Sequence, residues 1–160
     1  MNQTELADYL RSAEPIRCSG VLLVPHGLLA RQADIALALH MDSVDVRAWK
    51  IERLSPLAQY LGLTPKALLE DLHQLLQSVH CDFDCSFLYN MDILIAALDA
   101  EQCRDFWRHL LAVYRPQRPF ILTIPREADQ VFPEEERVRW GNVRRLASWQ
   151  DLEGVRDVDE

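Results

Sequence analysis

Apolar positions along this 160-residue chain fall into two kinds of run that alternate. Val21-Leu22-Leu23-Val24 and Phe120-Ile121-Leu122-Thr123-Ile124-Pro125 are short and nearly unbroken, as expected of strands covered on both faces. A third short run, Cys85-Ser86-Phe87-Leu88-Tyr89, leads into Asn90-Met91-Asp92-Ile93-Leu94-Ile95-Ala96-Ala97-Leu98. The intervening stretches carry helical spacing instead. Over 99–115, Cys103, Phe106, Trp107, Leu110, Leu111 and Tyr114 make one broad apolar stripe. Asp99 and Gln102 stand in the two capping-box places, Arg115 closes the last turn, and Pro116 and Pro119 stop the helix. The stretch 85–125 therefore reads as the β-α-β crossover of a parallel sheet.

The rest of the chain extends this pattern. Asn2 caps a first helix, with Glu5 three positions on and Leu6, Tyr9, Leu10 and Ala13 on one face, ended by Pro15. Pro25-His26-Gly27 turns the first strand into a helix over 28–41, apolar on most sides and so expected to be largely buried. Val44-Asp45-Val46-Arg47-Ala48-Trp49 alternates, which predicts an exposed or edge strand. Ser55-Pro56 opens a short helix ended by Gly62. Thr64-Pro65 opens a longer one reaching about Val79, with Leu68, Leu69, Leu72, Leu75, Leu76 and Val79 inward. Residues 126–136 are polar and read as a loop or short helix. Val138 to Trp140 and Val143 to Ala147 read as two strands joined at Gly141-Asn142, or as one strand in the second run alone. The order predicts an α/β protein: a three-layer α-β-α sandwich around a mostly parallel five-stranded sheet. Residues 1–147 form a single domain, and 148–160 an acidic, flexible tail.

Composition narrows the function classes. No apolar run approaches the roughly 18 to 20 residues that span a bilayer, and the acidic start lacks the layout of a signal peptide. Four scattered cysteines do not make a disulfide framework, so a reducing cytoplasm is the expected compartment. A net charge of −8 argues against sequence-independent nucleic-acid binding, which depends on neutralising phosphates. His80-Cys81-Asp82-Phe83-Asp84-Cys85, with His73 upstream, invites a zinc reading. The distant second pair of ligands that such sites use is missing, so no metal is assigned. His26 has no identifiable nucleophile or acidic partner by spacing.

Arg137, Arg139, Trp140, Arg144 and Arg145 form a basic patch with an interleaved aromatic. Such a patch suits a nucleic-acid backbone or a stacked base. The overall charge favours an acidic protein partner, or pairing with Glu134-Glu135-Glu136 in the same chain.

In parallel sheets ligands bind beyond the carboxyl ends of the strands, here Pro25 to Leu29, Lys50 to Arg53, Tyr89 to Asp92 and Pro125 to Glu127. A strand, a Gly-containing turn and a helix resemble the start of a P-loop NTPase core. The chain is similar in particular to the small P-loop accessory subunits of bacterial phage-exclusion (BREX-type) defence systems. Pro25 and Gly27 fall where that family's loop has its early Pro and Gly. Leu88-Tyr89-Asn90-Met91-Asp92-Ile93-Leu94 falls on its second motif, with Asn90 and Asp92 matching. The resemblance covers about residues 20–125, and implies a nucleotide site at Pro25, His26, Gly27, Arg31, Asn90 and Asp92. The departures bear on chemistry: Ala30 replaces the phosphate-binding Lys, Arg31 the Mg²⁺-binding hydroxyl, and Tyr89 the Mg²⁺-anchoring Asp. The expectation is a non-catalytic scaffold or adaptor without a cofactor, working through other protein subunits. The alternative is a nucleotide-binding enzyme or switch whose loop uses Arg31 and backbone amides. Self-association is left open.

Overall fold

The computed structural model of the chain describes residues 1–12, 19–54 and 63–151. The expected helix stop at Pro15 and the short helix from Ser55 to Gly62 lie outside them. Helix α1 (Gln3–Ser12) starts on the expected reciprocal cap: the Glu5 N–H donates to Asn2 Oδ1 at 2.9 Å, and the Asn2 N–H to Glu5 Oε1 at 3.1 Å. Strand β1 (Ser19–Val24) is buried at every position. The expected 28–41 helix is instead a 3-10 turn, His26–Arg31, followed by α2 (Gln32–Ala38). It is buried along one line only, at Gln32, Ile35 and Ala36, while Leu37 is 65% exposed. Apolar composition overstated its burial because one face already covers the sheet.

The alternating run 44–49 also divides. Strand β2 (Asp42–Asp45) ends at Asp45, whose carboxylate accepts from the Ala48 N–H and caps α3 (Val46–Glu52). Val46 and Trp49, three apart, both face the core, so a helical period won over the period of two. Helix α4 (Pro65–Ser78) opens on Thr64, whose hydroxyl accepts from the Ala67 N–H. Strand β3 (Ser86–Tyr89) leads into the short α5 (Met91–Ile95). Helix α6 (Ala100–Ala112) carries the capping box of Asp99 and Gln102 and ends before Arg115. Strand β4 (Phe120–Pro125) follows. Val138 to Trp140 form no strand: they belong to α7 (Glu134–Asn142), which starts behind Pro133 with three glutamates in its first turn. Only the second run holds a strand, β5 (Leu146–Ser148).

The five strands form one all-parallel sheet in the order β2-β3-β4-β1-β5. β1 lies between β4 and β5, with Val21 opposite Leu122 on one side and Leu146 on the other. Alternate residues of the strands enter two separate cores. Leu22, Val24, Phe87 and Ile121 pack with α1 and α2, whereas Val21, Leu23, Leu88, Phe120, Leu122 and Ile124 pack with α3 to α7. The molecule is thus a three-layer α-β-α sandwich. Ser148 to Gln150 belong to the folded body, Trp149 N–H donating to Leu23 O at 2.8 Å and Gln150 N–H to Gln3 Oε1 at 3.0 Å; of the expected tail, 152–160 lies outside the described residues. No helix among the described residues is long and apolar enough to cross a membrane.

Candidate functional site

β1 passes its chain to α2 on the α1 side of the sheet, while its neighbour β4 passes its chain to α7 on the opposite side. Connections that part in this way open a crevice at the carboxyl ends of the two strands, where parallel sheets bind ligands. The sequence-predicted residues border that place in two groups. Pro25, His26, Gly27 and Arg31 lie on the turn after β1, and Asn90 and Asp92 lie after β3. β4 runs between the two groups, so β1 and β3 stand about 10 Å apart, two strand spacings.

The turn after β1 winds tightly. Pro25 O accepts from the Leu28 N–H at 3.0 Å, and the chain continues as a 3-10 helix through Arg31. Gly27 does not use its freedom: its φ is not positive, and a Cβ there would meet nothing within 4 Å. A phosphate nest needs successive N–H groups turned inward by right- and left-handed residues in alternation. Among the described residues positive φ occurs only at His40, Asn90 and Arg144, none of them in this turn. Arg31 is half exposed and lies 3.8 Å from Asp34.

At the strand ends beside the turn the protein's own polar groups bond to one another. Gln32 is buried, donates to Leu29 O at 3.1 Å, and accepts from Thr123 Oγ1. Thr123 Oγ1 also lies 3.4 Å from Leu88 O, so Gln32 and Thr123 tie together the ends of β1, β4 and β3. Above them Arg126 donates from its backbone to Val24 O at 2.8 Å and from Nη2 to Trp149 O at 2.7 Å. These residues escaped the sequence reading. The available signal was Thr123, the one polar residue inside a buried apolar strand.

After β3, Asn90 occupies the left-handed region at φ 66° and its side chain makes no capping bond to α5. The cap position is therefore Asn90, and Asp92 sits one residue inside the helix. Burial pushes the Asp92 carboxyl above the usual range, opposed by a hydrogen bond from its own backbone N–H. Burial, with the Asp45 carboxylate opposite it in the ladder, pushes the Tyr89 phenol up as well.

The chain matches no protein-family model, no curated protein and no solved structure.

The basic patch does not lie on a strand face. Arg145 is 4% exposed: it donates to Ser19 O at 2.7 Å, to Leu111 O at 2.9 Å and to Ser19 Oγ, and its guanidinium sits 4.7 Å from the Trp140 ring centre. Trp140 is fully buried against Trp107 and Phe132. Arg137 donates to Phe132 O and Arg126 O and pairs with Asp129, which ties α7 to the β4 end. Arg139 pairs with Glu135 and with the buried Glu136. Of the five patch residues, Trp140 and Arg145 are core groups, and Arg144 is the one left fully at the surface.

Among the described residues no three or more His, Cys, Asp or Glu side chains are grouped to hold a metal ion. His80 is hydrogen-bonded to Asp82 at 2.8 Å, and Cys85 is buried ahead of β3.

Proposed function

We propose that the protein is a non-catalytic, P-loop-like α/β subunit that works by binding other proteins in a bacterial complex, such as a phage-exclusion defence assembly. One observation carries the reading. At the crevice where a nucleotide hydrolase would wrap phosphates, this chain has a right-handed 3-10 turn, and hydrogen bonds join Gln32 to Thr123 and Arg126 to the Trp149 backbone beside it. Ala30, Arg31 and Tyr89 stand where phosphate and Mg²⁺ would need Lys, a hydroxyl and Asp. Without those groups the charge that develops in phosphoryl transfer has no compensation in place.

A second reading keeps one support. Asn90 in a strained backbone and Asp92 with a raised pKa sit at a strand end, the kind of place where perturbed carboxylates serve chemistry. On that reading the chain binds nucleotide as an enzyme or switch, using Arg31. Thermal unfolding with ATP or GTP and Mg²⁺ separates the two. A nucleotide at 100 times its dissociation constant adds about 2.7 kcal/mol of stability. The scaffold reading expects no shift, and no turnover that Arg31→Ala or Asp92→Ala removes. A shift of that size abolished by Arg31→Ala gives the site to nucleotide.

A further inference from the structure

The carboxyl end of α7 closes on a paired turn. The Arg144 N–H donates to Gly141 O at 3.1 Å and the Arg145 N–H to Trp140 O at 3.0 Å, with Arg144 left-handed at φ 60°. This is a Schellman motif, and the residue at its left-handed position is usually glycine, because a side chain there is strained. The same motif ends α2, with His40 at φ 57°, its N–H on Leu37 O and the Met41 N–H on Ala36 O. His40 has an internal occupation: its ring meets Phe83 edge-on at 6.0 Å. Arg144 has none. Its side chain makes no hydrogen bond, ion pair or ring contact among the described residues, and it is exposed.

Arg144 lies on the wall of a pocket of about 480 Å³ at the opposite end of the sheet from the β1 turn, together with Tyr9, Leu111, Asn142, Val143 and Arg145. Arg145 there is already committed to Ser19 O and Leu111 O, so Arg144 supplies the cation that an incoming group would meet. Leu111 and Val143, the latter 45% exposed, put an apolar wall beside it. A planar guanidinium next to an apolar wall fits a carboxylate carried beside an aliphatic side chain. One uncommitted cation among the described residues of the pocket, on a chain of net charge −8, fits a phosphate backbone poorly.

We propose that this pocket is a docking site for a partner protein and receives a Glu or Asp side chain of that partner, flanked by an apolar residue, on Arg144. The proposal rests on the adaptor reading and gives it a place and a chemistry. The strain at Arg144 is then the cost of keeping a charged side chain where glycine would fold better.

NMR titration of the full ¹⁵N-labelled chain tests it. The probes are a peptide with two glutamates alternating with leucines, its twin with glutamines, a twelve-nucleotide oligothymidine, and inorganic phosphate. The glutamate peptide is expected to shift the Arg144 side-chain signal and the Val143 and Asn142 amides, and the glutamine twin to leave them. Arg144→Gly should weaken peptide binding at least tenfold while Tm stays level or rises by about 2–4 °C, which separates lost docking from lost folding. Arg139→Ala, which breaks a pair outside the pocket, should leave binding within twofold. No peptide shift, equal shifts from both peptides, or full binding by Arg144→Gly overturns the proposal. Arg144-dependent binding of oligothymidine or phosphate at equal or lower concentration also overturns it, by giving the pocket to phosphate. A nucleotide-induced thermal shift would sink the adaptor reading instead, whatever the peptide does, and peptide failure alone removes only this pocket.

Discussion

Asp92 shows how a single carboxylate reports on its surroundings. Burial holds its proton more tightly in the folded chain than in the unfolded one, so its contribution favours folding at low pH and is lost as pH rises through and above the ordinary carboxylate range. Asp92→Asn should therefore be more stable than the parent at pH 7 and equal to it near pH 3, as read by urea unfolding at the two values. Equal stability at pH 7 would mean that the carboxylate sits at no cost. Gly27 allows a test of the same region through the backbone. With no positive φ and open space at its Cβ, Gly27→Ala should gain about 0.4–1 kcal/mol by restricting the unfolded chain. A loop built to wrap phosphate through its glycine would lose stability or ligand instead. Gly20 behaves in the opposite way: a Cβ there would come within 2.8 Å of Leu6 Cδ1, and Leu6 and Leu10 are buried with little room to retreat. Gly20→Ala should cost roughly 1–3 kcal/mol by overpacking α1 on β1.

Among elements, those with both a cap and a stripe were readable from sequence. Asn2, Thr64 and Asp99 announce α1, α4 and α6, and the structure pairs each with the expected N–H. Asp99→Ala should accordingly cost about 1 kcal/mol in denaturant unfolding. Elements missed in the sequence had conflicting signals. Val44 to Trp49 alternates like a strand, yet Asp45 caps a helix whose Val46 and Trp49 reach the core. Arg137 and Arg139 around Val138 look like an exposed strand, but Arg139 pairs with Glu135 and Glu136 one helical turn back. The candidate site was readable only as a location. That strands end at Val24 and Tyr89 followed from their apolar runs; that Gln32 and Thr123 would meet at the strand ends depended on which strands are neighbours, a long-range fact that local pattern does not carry.

At the scale of the whole molecule, the two ends of the sheet are held differently. The carboxyl end is closed by hydrogen bonds among Gln32, Thr123, Arg126 and the Trp149 backbone. The amino end depends on charge: Asp42 at the start of β2 accepts from the Asp82 and Phe83 N–H groups and from Arg118 Nη2 at 2.9 Å, which clasps the approaches to β3 and β4. Burial alone would raise the Asp42 carboxyl, but those donors outweigh it and hold it below the usual range. Its contribution is then full above the unfolded-state value of about 3.9 and lost as pH falls below it. Asp42→Asn should cost about 1–3 kcal/mol at pH 7 and flatten the acid limb of the unfolding curve, measured between pH 2 and 6.

The position of β1 also constrains how the chain is made. Ser19–Val24 is flanked on both edges by strands that come roughly a hundred residues later, at Phe120–Pro125 and Leu146–Ser148. During synthesis this greasy ribbon must therefore wait, both margins unsatisfied, until residues 120–148 have left the ribosome. A chaperone that shields Val21 to Val24 in the interval, or a pause late in translation, should govern yield more than any substitution at the surface.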